Sequence, residues 1–332
     1  MKINWYKTGA LLLLLLLLTG CSPQPVEAQV YAMDTVMTLK LWGSGAETAA
    51  QDLSRLFQEQ EELLSVTRPD SLVGRLNSGE MVELPQSIQP LFQEALSLSR
   101  RTGGALDPCL YPVTKLWGFT TGTYRVPEPE EISSALIHTG AEQLHLDGVR
   151  ASLGAQAQLD LGALGKGWAS RLAIEYLAAQ PGISGGILAL GGNVQTYGAK
   201  PDGSPWQIGI QDPDGAGTLG LLCLEGTWAV VTSGGYQRYF EADGVRYCHI
   251  LDPGTGMPAQ AGLTSVTVVA EDGLLADGLS TALYIMGLEE AAGFWRENQD
   301  FEAVFCTTDG EIYVTAGLTS NLTGCRFQEI VP

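Results

Sequence analysis

The sequence predicts an α+β fold in which antiparallel sheets are packed by helices. Helical periodicity is concentrated in the first 180 residues, whereas short β-rich runs dominate from Gly185 onward. Many of those runs are separated by turns of hairpin length. This partial segregation favours α+β over a parallel doubly wound sheet, and no repeat of solenoid length is present.

The first strand is expected over 30–42, where apolar and polar residues alternate and β-branched residues recur. Residues 46–64 form an amphipathic helix with Leu53, Leu56, Phe57, Leu63 and Leu64 on one side. A second helix covers 88–101 and stops at Gly103-Gly104; a third covers 166–179. Strands follow at 186–190, 206–210, 220–224, 227–232, 246–250 and 264–270. Short helices are expected at 276–286 and 289–297, and strands at 301–307 and 312–316 close the chain.

The N-terminus has a different character. Lys2 and Lys7 precede Ala10 and eight consecutive leucines, and Leu18-Thr19-Gly20-Cys21 resembles a bacterial lipobox. Residues 1–20 read as a lipoprotein signal peptide and Cys21 as the lipidation site. Residues 21–29 read as a polar, proline-bearing tether, and 30–332 as one catalytic domain. This puts the protein on the extracytoplasmic face of a bacterial membrane.

The net charge is −19, and loss of Lys2 and Lys7 takes it to −21. That argues against nucleic acid, which needs lysine and arginine to displace counterions. An anionic ligand would need local help from a cation, a metal or a helix N-terminus. Cys109, Cys223, Cys248, Cys306 and Cys325 remain after Cys21, with no CxxC and no Cys/His cluster, so a zinc site is not expected. One disulfide is possible in an oxidising compartment, with no pairing to be read from sequence.

Five stretches carry candidate chemistry. In DLGALGKGWAS (160–170), an acidic residue, three glycines and Lys166 enter a helix. The stretch is either a tight strand-to-helix turn or a loop facing phosphate; it is not a Walker A loop. Glycine turns at 191–192 and 234–235 also end β-rich runs. In ADGLSTALYIMG (276–287), Asp277 and Thr281 are four apart and share a helix face. They are either hard oxygen ligands suited to Mg²⁺, or a capping aspartate and a solvated threonine. In HILDPGTGMP (249–258), His249 is either a core histidine or a general base held at a strand end by the following turn.

Taken together, these motifs resemble the ApbE family, the FAD:protein FMN transferases, over residues 30–322. Met33-Asp34-Thr35 is similar to the family's M-G-T. SLVGRLN (71–77) resembles its S-x-(x)n-L-N helix, and GGALDPCLYPVTKLWGF (103–119) its G-x-x-D-P-T segment. DLGALGKGWA, LALGGNVQTYG, WQIGIQDP, VTSGGYQRYF, HILDPGTGMP and ADGLSTALYIMG follow in the family's order. The resemblance implies a T-fold-related architecture with the FAD cleft between two lobes. It implies Mg²⁺-dependent transfer of FMN from FAD to a threonine or serine of an acceptor flavoprotein, with release of AMP. It makes Asp277, Thr281 and the carbonyl of Ala163 the metal ligands and His249 the base. Asp160 and Lys166 would contact FAD, and Met33, Ala105, Leu106, Asp107 and Ile250 would line the flavin nucleotide's pocket. Expected acceptors are extracytoplasmic subunits of membrane redox complexes.

Four positions depart from the family's pattern. Thr67 stands where an aromatic is frequent, Cys109 where a small hydroxyl residue is usual, Gly254 where Arg or Lys is common, and Asp34 for the glycine of M-G-T. Two rival readings fit the same residues: a Mg²⁺-dependent FAD pyrophosphatase with water as acceptor, and a flavin-binding lipoprotein without turnover.

Overall fold

A computed structural model describes residues 24–332 apart from 214 and 216. The leader and Cys21 lie outside the described residues. The chain opens with a hairpin, β1 (Val26–Ala32) and β2 (Thr35–Gly43), where the sequence suggests one strand over 30–42. Met33 and Asp34 form the turn, both in the left-handed region at φ 52° and 59°. A two-residue turn keeps the alternation in step across the break, so the pattern conceals it. The expected tether is correspondingly shorter, because residues 26–29 belong to β1.

The chain continues through α1 (Ala46–Leu64), α2 (Leu72–Asn77), β3 (Val82–Glu83), α3 (Gln89–Arg101), α4 (Tyr111–Trp117) and α5 (Pro129–Leu136). Next come β4 (Leu144–Asp147), β5 (Arg150–Leu153), α6 (Gly165–Ala178), β6 (Ile183–Leu190), β7 (Asn193–Gly198), β8 (Trp206–Gln211) and β9 (Thr218–Leu224). β10 (Ala229–Gly234), β11 (Tyr239–Ala242), β12 (Val245–Cys248) and β13 (Leu263–Ala270) precede the long α7 (Gly273–Asn298). β14 (Glu302–Thr307), β15 (Ile312–Thr315), β16 (Leu322–Thr323) and β17 (Gln328–Ile330) complete it.

Nine strands form one sheet in the order β1-β2-β6-β7-β10-β13-β14-β15-β17, antiparallel except for β15 with β17. Strand alternation divides the core between its two faces. Ala229, Val231, Val266 and Val268 face the helices, packing in one cluster with Leu274, Leu279 and Leu283 of α7. Val230, Val269 and Val304 face the other way, against Ile208, Ile210, Leu222 and Leu224 of the small β16-β9-β8 sheet. Each such aliphatic side chain contributes roughly 1.5–3 kcal/mol by leaving water. The observed architecture is therefore α+β.

Two boundaries matter for function. The strand expected over 246–250 ends at Cys248, which leaves His249 and Ile250 in the following loop. The two helices expected at 276–286 and 289–297 are one element, broken at Gly287 (φ 78°, ψ 174°). Its start lies at Asp272, whose side chain caps the helix by accepting from Leu274 N at 2.8 Å and Leu275 N at 3.1 Å. Asp277 is therefore not the cap.

Candidate active site

Helices α6 and α7 cross at Gly167. A Cβ there would lie 2.5 Å from Asp277 Cβ and would collide with the Gly273 carbonyl, so only glycine permits this approach. Arg171 of α6 pins the crossing by pairing with Glu94 of α3 at 2.5 Å and with Asp272 at 2.6 Å. The approach buries Asp277, which is 4% exposed, and lets its Oδ2 accept from Gly167 N at 2.7 Å. Burial raises the Asp277 carboxyl above its usual range, while nearby Lys166 and the helix N–H groups oppose this.

Thr281 lies one turn further along α7. Its hydroxyl is 3.3 Å from Ser233 Oγ of β10, which is also 2.8 Å from Ser280 Oγ. Ala163, whose backbone offers a carbonyl, lines the same cavity. Among the described residues no cluster of three or more His, Cys, Asp or Glu could hold a metal. The donors gathered here are instead a carboxylate, a hydroxyl and a carbonyl. This all-oxygen set fits a hard divalent cation that keeps several waters.

His249 lines the same cavity as these groups. The Arg238 carbonyl accepts from His249 N at 3.0 Å and lies 3.1 Å from its Nδ1. With Nδ1–H donating to that carbonyl, Nε2 keeps its lone pair. Burial, aided by the charges of Arg238 and Lys166, pushes the imidazole down to about 4, against the pull of that hydrogen bond. The ring is therefore neutral near pH 7. Phe119 meets it edge-on at 6.3 Å.

The turn after His249 is fastened from within and below. Asp252 accepts from Gly254 N at 2.8 Å and from the Thr255 hydroxyl at 3.1 Å. Buried Trp117 donates its indole N–H to the Gly256 carbonyl at 2.8 Å. Asp107 is similarly committed, accepting from Cys109 N and Gly140 N at 2.8 Å each, and burial raises its carboxyl. Cys109 is buried beside it, and burial raises its thiol further from ionisation. All five described cysteines are free.

The site is a cleft of two adjoining chambers, about 240 and 220 Å³. Either alone falls short of the ~300 Å³ of a typical ligand pocket; together they reach that range. The inner chamber holds Ala105, Asp107, Ala163, His249, Ile250, Asp277 and Thr281. The outer one holds Met33, Asp34 and Thr67. Asp160, Gly162, Lys166, Thr120 and Arg238 line both. Met33 and the Ala105–Asp107 segment, expected along one pocket, thus lie in different chambers. Leu106 lines neither; it is buried in the core. Arg238 is not singled out by sequence, although it sits in the quoted stretch VTSGGYQRYF, whose Thr232 and Ser233 hydroxyls are candidates to face a ligand.

A family model, the ApbE family, matches residues 33–305. A Treponema pallidum protein named FAD:protein FMN transferase is 34% identical over 295 residues, covering 82% of this chain and 81% of its own. One of the same name from Vibrio cholerae is 35% identical, covering 86% and 89%. Among solved structures, the ApbE protein of Thermotoga maritima superposes with a TM-score of 0.85 at 32% identity, over 91% of this chain and all of its own. The apo flavinyl transferase ApbE of Pseudomonas stutzeri superposes at 0.79, with 32% identity over 90% and 97%.

Proposed function

The chain belongs to the ApbE family, and on that premise we propose that it is a FAD:protein FMN transferase whose reaction runs in the cleft between His249 and Asp277. FMN passes from FAD to an acceptor protein. The acceptor is a threonine or serine hydroxyl, and AMP is the second product. The observation that supports the site assignment is that His249, with Nδ1 3.1 Å from the Arg238 carbonyl, lines the same cavity as Asp277 and Thr281.

The hydroxyl oxygen attacks the FMN phosphorus, and its proton passes to Nε2. The bond from that phosphorus to the bridging oxygen breaks, and AMP leaves with the electron pair. Asp277, Thr281 and the Ala163 carbonyl would hold Mg²⁺. When bound, the ion would add its positive charge at the diphosphate to that of the lysine and arginine side chains lining the cleft of this chain of net charge −19. Asp160 shapes the loop under the substrate by accepting from Gly162 N at 2.8 Å, and Lys166 borders both chambers. The two-chambered form suits a dinucleotide. The test is to follow FAD consumption by chromatography: AMP should appear in equal amount to labelled acceptor and cease with EDTA. AMP with free FMN and unlabelled acceptor would point to the pyrophosphatase instead.

Residues 1–21 support export and lipid attachment at Cys21. The enzyme would then meet acceptors among extracytoplasmic subunits of membrane redox complexes. Among the described residues no helix is long and apolar enough to cross a membrane. Cys21→Ser should release the protein from the membrane fraction; retention there would refute the anchor.

A further inference from the structure

Arg238 is the residue before β11, and His249 is the residue after β12, so one hairpin carries both at its base. Its guanidinium is tethered at one nitrogen, Nη2, which donates to the Phe119 carbonyl at 2.6 Å. Arg238 makes no salt bridge among the described residues, although the chain is strongly acidic. It lines both chambers, as does Lys166. In a cleft that holds one nucleotide half in each chamber, the residues shared by both border the diphosphate between them.

We propose that Arg238 is a second catalytic cation of this cleft, whose guanidinium binds the diphosphate of FAD and takes up the charge that builds on the transferring phosphoryl group. The proposal rests on the transferase reading and deepens it. A planar guanidinium offers several fixed donors to phosphate oxygens, which an ammonium does not. The same residue grips His249 through its carbonyl, so the phosphoryl group and the base are positioned by one piece of backbone. The positive charge of Arg238 adds to desolvation in lowering the proton affinity of the imidazole. The substrate's own negative charge would relax that effect on binding, when the base is needed.

The experiment compares wild type, Arg238→Gln and Arg238→Lys with Mg²⁺ present. It measures the FAD dissociation constant by flavin fluorescence, kcat of acceptor labelling, and the His249 titration by NMR. Arg238→Gln should weaken FAD binding about tenfold and lower kcat by a further ~10–100-fold. Its His249 midpoint should rise, and Arg238→Lys should restore part of each loss. Affinity and kcat within twofold of wild type in Arg238→Gln would overturn the proposal. So would equal kcat losses in both variants with unchanged FAD affinity, since the Phe119 tether alone would explain that. If wild type labels no acceptor, the transferase reading fails, but the three FAD affinities still decide whether Arg238 binds the diphosphate.

Discussion

The backbone N–H of Gly167 and the carboxylate of Asp277 meet at 2.7 Å, and this contact joins the N-terminal turn of α6 to α7. It fixes one carboxylate oxygen of Asp277. Gly167→Ala would place a methyl 2.5 Å from Asp277 Cβ. Overpacking of this kind costs about 1–3 kcal/mol. Thermal unfolding should show that loss, and Mg²⁺ affinity by calorimetry should fall with it. An alanine variant of wild-type stability and affinity would mean the helices can part without consequence.

Asp277→Asn separates the proposed metal role of Asp277 from its part in the fold. Burial raises the Asp277 carboxyl, so the unfolded chain ionises first and the buried charge lowers stability as pH rises above the ordinary carboxylate value. The amide removes that charge. The metal-free variant should melt at least ~2 °C higher than wild type at pH 7, yet be inactive. Added Mg²⁺ should raise the melting point of wild type alone.

The pH dependence should bear the mark of His249. Its midpoint is pushed down to about 4 in the free enzyme. Between the ordinary histidine value and 4 the unfolded chain takes the proton and the folded chain does not, so this group's effect lowers stability as pH falls through that window. The acid limb of kcat/KM, which reports the free enzyme, should lie near 4. The chain has three histidines, so an NMR titration assigns the signal with one His249→Gln spectrum. A midpoint near 6.5 would contradict the lowered value.

Thr67 borders the outer chamber where the family pattern has an aromatic. Thr67→Tyr should add a stacking face worth about 0.5–1.5 kcal/mol, tightening FAD binding several-fold. Unchanged affinity would show that no flat ring of the substrate reaches this wall.

Much of this site was legible because its chemistry is local. Asp277 and Thr281 share a face by helical spacing, and His249 stands against a turn rich in Asp, Pro and Gly. The start of α7 was misread because Asp277 precedes glycine in a small-residue run, whereas the working cap is Asp272 before another glycine. The hairpin at Met33-Asp34 was hidden because a two-residue turn preserves the alternation. Ser233 and Thr281 are 48 residues apart, and only the packing of β10 against α7 joins them. Arg238 was likewise invisible, since its importance comes from facing two chambers at once.

A base that takes the proton of the acceptor hydroxyl, as proposed for His249, cannot be removed without slowing FMN transfer. The most direct test is intact-mass spectrometry of an acceptor domain incubated with FAD, Mg²⁺ and the protein from residue 22 onward, as wild type and as His249→Ala. The acceptor should gain one FMN with wild type, and at a rate at least ~100-fold slower with the variant while FAD binding persists. Labelling by His249→Ala at the wild-type rate would contradict it.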